Sequence, residues 1–223
     1  MASNKNRKVS RKKSRKKLWL AIGIIAIVVI VIGAYQVLGQ SANQTPSPSA
    51  TPTSSPSSST DNEYTNSTKV LLQTSMGNIT IELRNDMPIT AGNFKNLVQK
   101  GTYNGTIFHR VIAGFMIQGG DPTGTGYGDP SIPTIKDEFT SDNHNVRGII
   151  AMANTGQPNS GSSQFFINVV DNSDRYASFD SSYPVFGKVI SGMDVVDAIA
   201  KVATNSNDKP TKDVKIINTS IVP

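Results

Sequence analysis

From Leu18 to Leu38 the chain runs through 21 residues, LWLAIGIIAIVVIVIGAYQVL, without a charge. At about 1.5 Å per residue, a helix of this length spans roughly the 30 Å hydrocarbon core of a bilayer. Trp19 and Tyr35 sit near its two ends, where amphipathic rings favour the headgroup region. A cleaved signal peptide is the competing reading. Its apolar region runs only about 7–15 residues, and the GQSANQ that follows here is a poor small-x-small cleavage site. An uncleaved anchor is expected, and any folded domain must lie to one side of it.

Charge decides which side. The 223 residues carry 22 Lys+Arg and 16 Asp+Glu, a net +6. Nine of the cations fall within residues 1–17, which hold no acidic residue, so residues 18–223 have 13 basic and 16 acidic side chains, a net of −3. The first Lys or Arg after the span is Lys69. This asymmetry keeps the N-terminus cytoplasmic and sends the C-terminal part across the membrane, the cations also suiting anionic headgroups. The mildly acidic remainder argues against a nucleic-acid partner.

Residues 41–60, SANQTPSPSATPTSSPSSST, contain eight Ser, four Thr and four Pro. Such a stretch has too little apolar surface to offset its ordering entropy and reads as an extended, disordered spacer. The expected organisation is a basic cytoplasmic segment 1–17, an anchor 18–38, a spacer 39–67 and one domain over 68–223. Within that domain KVLLQTSMGNITIEL reads as two strands joined at Ser75–Asn78. Pro88 to Lys100 changes period: Ala91, Phe94, Leu97 and Val98 share a helical face, with Gly101 as the stop signal. FHRVI, FMIQGG, GIIAMAN, SQFFINVV, PVFGKVI and the closing KIINTSIV are short strand-like runs, and MDVVDAIAKV is a second short helix. Many short strands with two helices predict a mainly β closed antiparallel barrel, not an α/β sheet.

The residue types exclude much chemistry. There is no cysteine, so neither a disulfide framework nor a thiolate metal site is possible, and His109 and His144 are the two histidines. No G-x-S-x-G elbow is present. GGDPTGTGYGDP (119–130) lacks the Lys-Ser/Thr of a phosphate loop and runs into prolines instead of a helix; its glycines are read as allowing close backbone approach. His109 is read as structural because strand neighbours point to opposite faces and Arg110 is the neighbour that matters. His144 lies in a polar turn, DNHNVRG, and is read as structural too. Asp137 and Glu138 are assigned no catalysis.

Two stretches remain unexplained by any nucleophile. FHRVIAGFMIQGGD (108–121) combines an Arg, a Phe-Met pair and a Gln, and MANTGQPNSGSSQFFI (152–167) adds Asn154, Gln164 and Phe166. In strands Met116 and Gln118 share a side, as do Gln164 and Phe166. Periodicity alone makes the aromatic and Met side chains core, but a guanidinium such as that of Arg110 is almost never fully buried without a partner.

FHRVIAGFMIQGGDP together with MAN…GSSQFFI resembles the cyclophilin family of peptidyl-prolyl cis-trans isomerases, and the likeness extends from Lys69 to Val222, including YPVFGKVISGMDVVDAI. The resemblance implies an eight-stranded antiparallel barrel with a helix closing each end, and neither cofactor nor metal. Carried over residue by residue, it implies that Arg110 is the catalytic arginine, assisted by Phe115 and Gln118. Phe115, Met116 and Phe166 would wall a proline pocket, while Gln118, Ala153, Asn154 and Gln164 would hold the peptide or shape the cleft. Gly124 falls in a glycine loop beside a secondary pocket. Phe179 takes a pocket position usually given to Leu, and Tyr183 one that is often His or Tyr. Three departures stand out: Ala113 where Pro is common, Thr155 where Ala is frequent, and Ser178 nearest the place of a Trp that contacts cyclosporin in many members.

The expectation is therefore a monomeric isomerase, tethered to the cell membrane with its domain outside the cytoplasm, acting on proline-containing peptides and unfolded protein clients. A proline-peptide binding or chaperone module without strong catalysis is the alternative from another class.

Overall fold

The structure is a computed structural model, and it describes residues 67–173 and 178–223. The basic segment, the apolar span and all of the spacer but Ser67 lie outside the described residues. Among the described residues no helix is long and apolar enough to cross a membrane.

The domain opens on a hairpin of β1 (Lys69–Thr74) and β2 (Gly77–Leu83). Val70, Leu72, Ile79 and Ile81 are completely buried while their neighbours are not, the period-two pattern of a half-buried sheet. The turn is tight because Thr74 Oγ1 accepts the Met76 N–H at 3.1 Å and donates to Gly77 O at 2.7 Å. There follow α1 (Thr90–Gln99), β3 (Arg110–Ile112), β4 (Met116–Gly119), β5 (Ile149–Met152) and β6 (Phe165–Asn168). A one-turn helix α2 (Phe179–Ser182), β7 (Val185–Ser191), α3 (Met193–Ile199) and β8 (Ile216–Val222) complete the chain.

All eight strands form one antiparallel sheet in the order β3-β4-β6-β5-β7-β2-β1-β8. The fold is thus mainly β, a curled antiparallel half-barrel with helices. The full closure expected from the sequence is not formed by strand pairing: among the described residues no ladder joins β3 to β8, and isolated bridges pair Ile107 with Asp121 and with Lys215. The two expected helices are present as α1 and α3. α2 was not foreseen.

α1 packs Ala91, Phe94, Leu97 and Val98 into the core, as its periodicity requires. Phe94 is the hub of an aromatic group, with ring centroids 5.1 Å from Tyr103, 5.4 Å from Phe165 and 5.1 Å from Phe186. Tyr103 is completely buried, which pushes its phenol pKa upward, and it still donates a hydrogen bond to Ser163 O at 3.0 Å. The helix ends in a Schellman arrangement: Thr102 N–H reaches Leu97 O at 3.0 Å and Gly101 N–H reaches Val98 O at 2.9 Å, with Gly101 at φ 69°.

The N-terminus of α1 has no local cap. Instead Glu138, 48 residues further along, accepts the Thr90 N–H at 2.8 Å and the Ile89 N–H at 3.1 Å. A carboxylate here satisfies orphan donors and sits at the positive end of the helix dipole. Glu138→Ala should therefore cost about 1 kcal/mol, a drop of roughly 2–4 °C in Tm for a domain of this size, measured by thermal unfolding of the purified domain. An unchanged Tm would show the cap to be dispensable.

Candidate active-site cleft

The strand register does most of the building. Arg110 stands opposite Gln118, Gln118 opposite Phe166, Phe166 opposite Ala151, and Ala151 opposite Val185. One row of side chains thus crosses β3, β4, β6, β5 and β7 on a single face of the sheet. The adjacent row, Val111–Ile117–Ile167–Ile150, points the other way into the main core, where its members are at most 2% exposed. A slip of one residue anywhere would exchange the two rows.

At one end of the cleft row lies a second apolar cluster, separate from the core: Met116, Ala151, Phe166, Phe179 and Val185, flanked by Ile112, Phe115, Ala153 and Tyr183. Its rings meet mostly edge to face. Phe115 and Phe179 are 5.8 Å apart, Phe166 and Phe179 5.9 Å, and Phe166 and Tyr183 5.4 Å between centroids. The five pocket residues anticipated from the sequence, Phe115, Met116, Phe166, Phe179 and Tyr183, are therefore gathered here. Phe115 comes from the β3–β4 turn, in which Ala113 and Gly114 are exposed and Gly114 takes φ 67°. Phe179 and Tyr183 come from α2 and the residue just after it; Ser178 precedes the helix and is exposed.

At the other end the row is polar. The Arg110 side chain is 41% exposed, and its Nε lies 3.5 Å from Asp208 Oδ2. Burial pushes the Tyr183 phenol pKa up and the charge of Arg110 opposes it, so this cation is felt inside the aromatic cluster. Gln118 donates through Nε2 to Gln164 Oε1 at 3.0 Å, and Gln164 donates in turn to Gly126 O at 3.1 Å. The glycine-rich loop is thereby tied to the cleft. Its centre is Asp121, whose buried carboxylate accepts the backbone N–H groups of Thr123, Thr125, Gly126 and Gly128 at 2.7–3.2 Å. Burial opposes the charge, but these donors outweigh it and hold the acid below the usual carboxylate range. The close approach expected of these glycines is realised: a Cβ at Gly128 would stand 3.4 Å from Gln164 Nε2. Gly124 packs over Ile107.

Asn154 uses both ends of its amide on the rim, donating to Ser182 O at 2.7 Å and accepting Gly156 N–H at 3.0 Å. Ala153 N–H pairs with Gln164 O at 3.0 Å, and Thr155 is exposed beside them. His109 is 7% exposed; burial pushes its imidazole pKa down against the pull of Asp121, which fits a structural residue. Among the described residues no three of His, Asp or Glu are grouped to hold a metal ion.

The sequence reading missed what holds α2. Asp180 Oδ1 accepts Asn145 N–H at 2.7 Å, and its Oδ2 pairs with His144 Nδ1 at 3.0 Å. Asn143 donates to the carbonyls of Asp180 and Tyr183 and accepts Val185 N–H at 2.7 Å. Asn168 and Asn172 extend the network to Phe115 O. Burial works against ionised Asp180, but the Asn145 N–H and His144 hold it below its ordinary range. Turn residues scattered over 143–180 carry no periodic signal, so nothing in the sequence placed them around one helix.

Comparisons with known proteins identify the family of the domain. Residues 69–221 match the family described as cyclophilin type peptidyl-prolyl cis-trans isomerase/CLD. A peptidyl-prolyl cis-trans isomerase of Acinetobacter baylyi is 49% identical over 161 residues, covering 70% of this chain and 86% of its own. Peptidyl-prolyl cis-trans isomerase-like 1 of Emericella nidulans is 44% identical over 160 residues, covering 70% and 96%. Among solved structures, a cyclophilin type peptidyl-prolyl cis-trans isomerase of Cryptosporidium parvum superposes with a TM-score of 0.64 at 32% identity, over 70% of this chain and 98% of that one. The same Cryptosporidium protein crystallised in the presence of the dipeptide Ala-Pro matches with a TM-score of 0.64 at 33% identity, over 70% and 99%. With the family match spanning more than half of its length, this chain belongs to the cyclophilin-type peptidyl-prolyl cis-trans isomerases.

Proposed function

We propose that this isomerase works without covalent chemistry, with Arg110 as the donor that stabilises the twisted amide and the Phe115–Met116–Phe166–Phe179 cluster as the seat of the proline ring. The observation that carries the reading is the register that sets a permanent cation opposite Gln118 in the same row as that apolar cluster. The Ala-Pro dipeptide present with the related Cryptosporidium structure supports a proline-containing ligand.

Rotation about an X-Pro bond is slow because conjugation gives the C–N bond double-bond character, a barrier of about 18–20 kcal/mol. Halfway through the rotation that conjugation is lost, and the prolyl nitrogen becomes pyramidal with a localised lone pair. A donor aimed at it favours the twisted state over both planar ones, which is differential binding of the transition state. Arginine suits the task because it is always charged and carries several N–H groups in one plane. The apolar cluster grips the ring while the acyl side turns. Gln118 gives one N–H to Gln164, which leaves its oxygen and a second N–H for the peptide backbone. Asn154 serves by holding the rim, and Ala153 and Tyr183 by closing it. Each 1.36 kcal/mol is about tenfold in rate, so roughly 7 kcal/mol shared among these groups yields about 10⁵.

The tether belongs to the same proposal. The family match begins at Lys69, and the preceding sequence has the composition of a polybasic segment, an apolar span and a spacer. That order supports an enzyme held at the cell membrane and acting on exported or surface proteins as they fold.

Three outcomes test the reading. Arg110→Ala should lower kcat/KM for an X-Pro peptide by about 10²–10³, with a smaller change in peptide affinity, measured by NMR exchange. Activity at the wild-type level would remove Arg110 from the mechanism, and a wild-type protein no faster than the uncatalysed rotation would favour the binding-module alternative. Asp180 supplies the pH test. Its carboxylate pKa is depressed on folding, so its support of α2 is complete above the unfolded value of about 4 and is lost as pH falls through the lower folded value. Proline-peptide binding should therefore weaken on acidification below about pH 4, and Asp180→Asn should bind weakly already at pH 7. Finally, protease added outside intact cells should release a fragment of domain size while leaving the basic N-terminus cell-bound; a fully protected chain would reverse the topology.

A further inference from the structure

The segment between α3 and β8 contains a hairpin organised on Asn205 that carries Asp208. Thr211 N–H donates to Ala203 O at 2.9 Å and Asn205 N–H to Lys209 O at 2.9 Å, closing a tight hairpin. Inside it, Asn205 Oδ1 accepts the N–H groups of Asn207 and Lys209 at 2.9 and 3.1 Å, and Asp208 N–H reaches Asn205 O at 3.0 Å. Asp208 itself takes φ 59°, a left-handed conformation that few non-glycine residues adopt and that Asp and Asn tolerate best. Its carbonyl accepts the Val111 N–H at 2.8 Å, which pins the hairpin to the strand residue following Arg110.

The result is a carboxylate oxygen, Asp208 Oδ2, 3.5 Å from Arg110 Nε. With side chains 41% and 44% exposed, the pair contributes little to folding stability. Its placement on the guanidinium is what matters. The carboxylate meets the inner edge of the fork, at Nε, and no group among the described residues accepts a hydrogen bond from the terminal η nitrogens. The outer end of the fork is left for a ligand.

We propose that Asp208 is a positioning residue, which orients the Arg110 guanidinium so that its η nitrogens face the prolyl amide before substrate arrives. This rests on the reading of Arg110 as the donor. A free arginine has many rotamers to lose when it engages a transition state, and a side chain already oriented loses fewer. The gain falls on the twisted state, where the donor is used, and not on the planar ground state.

The test compares four versions of the full chain: wild type, Asp208→Asn, Arg110→Ala and the double variant. Asparagine retains the left-handed backbone and the hairpin but removes the charge. Asp208→Asn should lower kcat/KM by about five- to tenfold, equivalent to roughly 1–1.4 kcal/mol, with KM within about twofold of wild type. In the Arg110→Ala background the same change should have no further effect. The Arg110 Nε–H resonance should shift in Asp208→Asn while backbone amides of the hairpin stay in place. Wild-type kcat/KM in Asp208→Asn, or an equal loss in both backgrounds, would overturn the inference. A fully active Arg110→Ala would instead overturn the reading beneath it.

Discussion

Both the interior of this domain and its working face depend on the antiparallel register of β3, β4, β6, β5 and β7. Because side chains alternate across a strand, one register assigns Val111, Ile117, Ile167 and Ile150 to the core and Arg110, Gln118, Phe166 and Ala151 to the cleft. Burial of the first row is what holds the second in place. The hydrophobic effect makes any slip costly, since it would expose four core side chains and bury a guanidinium. The geometry of the proposed site is thus maintained by packing on the opposite side of the same strands.

Loops complete the cleft by a different principle. The glycine-rich loop is organised around the Asp121 carboxylate, and α2 is held by Asp180 with Asn143, Asn145, Asn168 and Asn172. A buried polar group left unpaired costs free energy, so arrangements that break these hydrogen bonds are disfavoured. Short irregular segments gain in this way a rigidity they could not draw from apolar burial. Phe179 and Tyr183 can then face Phe166 at ring-contact distances although the helix between them has only one turn.

Local features were readable from the chain because their causes are local. The β1–β2 hairpin, the apolar face of α1, its glycine stop and the short strands all follow from periodicity and turn residues within a dozen positions. The proposal for the pocket has another source: FHRVIAGFMIQGGDP and GSSQFFI carry a family likeness, and the fold brings Phe115, Met116 and Phe166 from these segments into one cluster. What stayed hidden depends on contacts between distant positions. Glu138 reads as an ordinary loop acid, yet it caps a helix 48 residues earlier. Asp208 sits in a polar turn, TNSNDKP, that suggests nothing beyond a bend, yet its carboxylate faces Arg110.

The sequence by itself determined the family, most of the strand and helix pattern and the near-neutral charge of the domain, with 13 basic and 14 acidic side chains over residues 68–223. All of these are properties of residue order along short windows. Only the tertiary structure decided how the sheet curls, with no ladder joining β3 to β8 among the described residues although a closed barrel was expected, and which acids hold α1 and α2 and which stands beside Arg110. Those choices are made when segments far apart in the chain come within a few ångströms. Hydrogen bonds and charge contacts act only at that range, and one-dimensional order does not encode it directly.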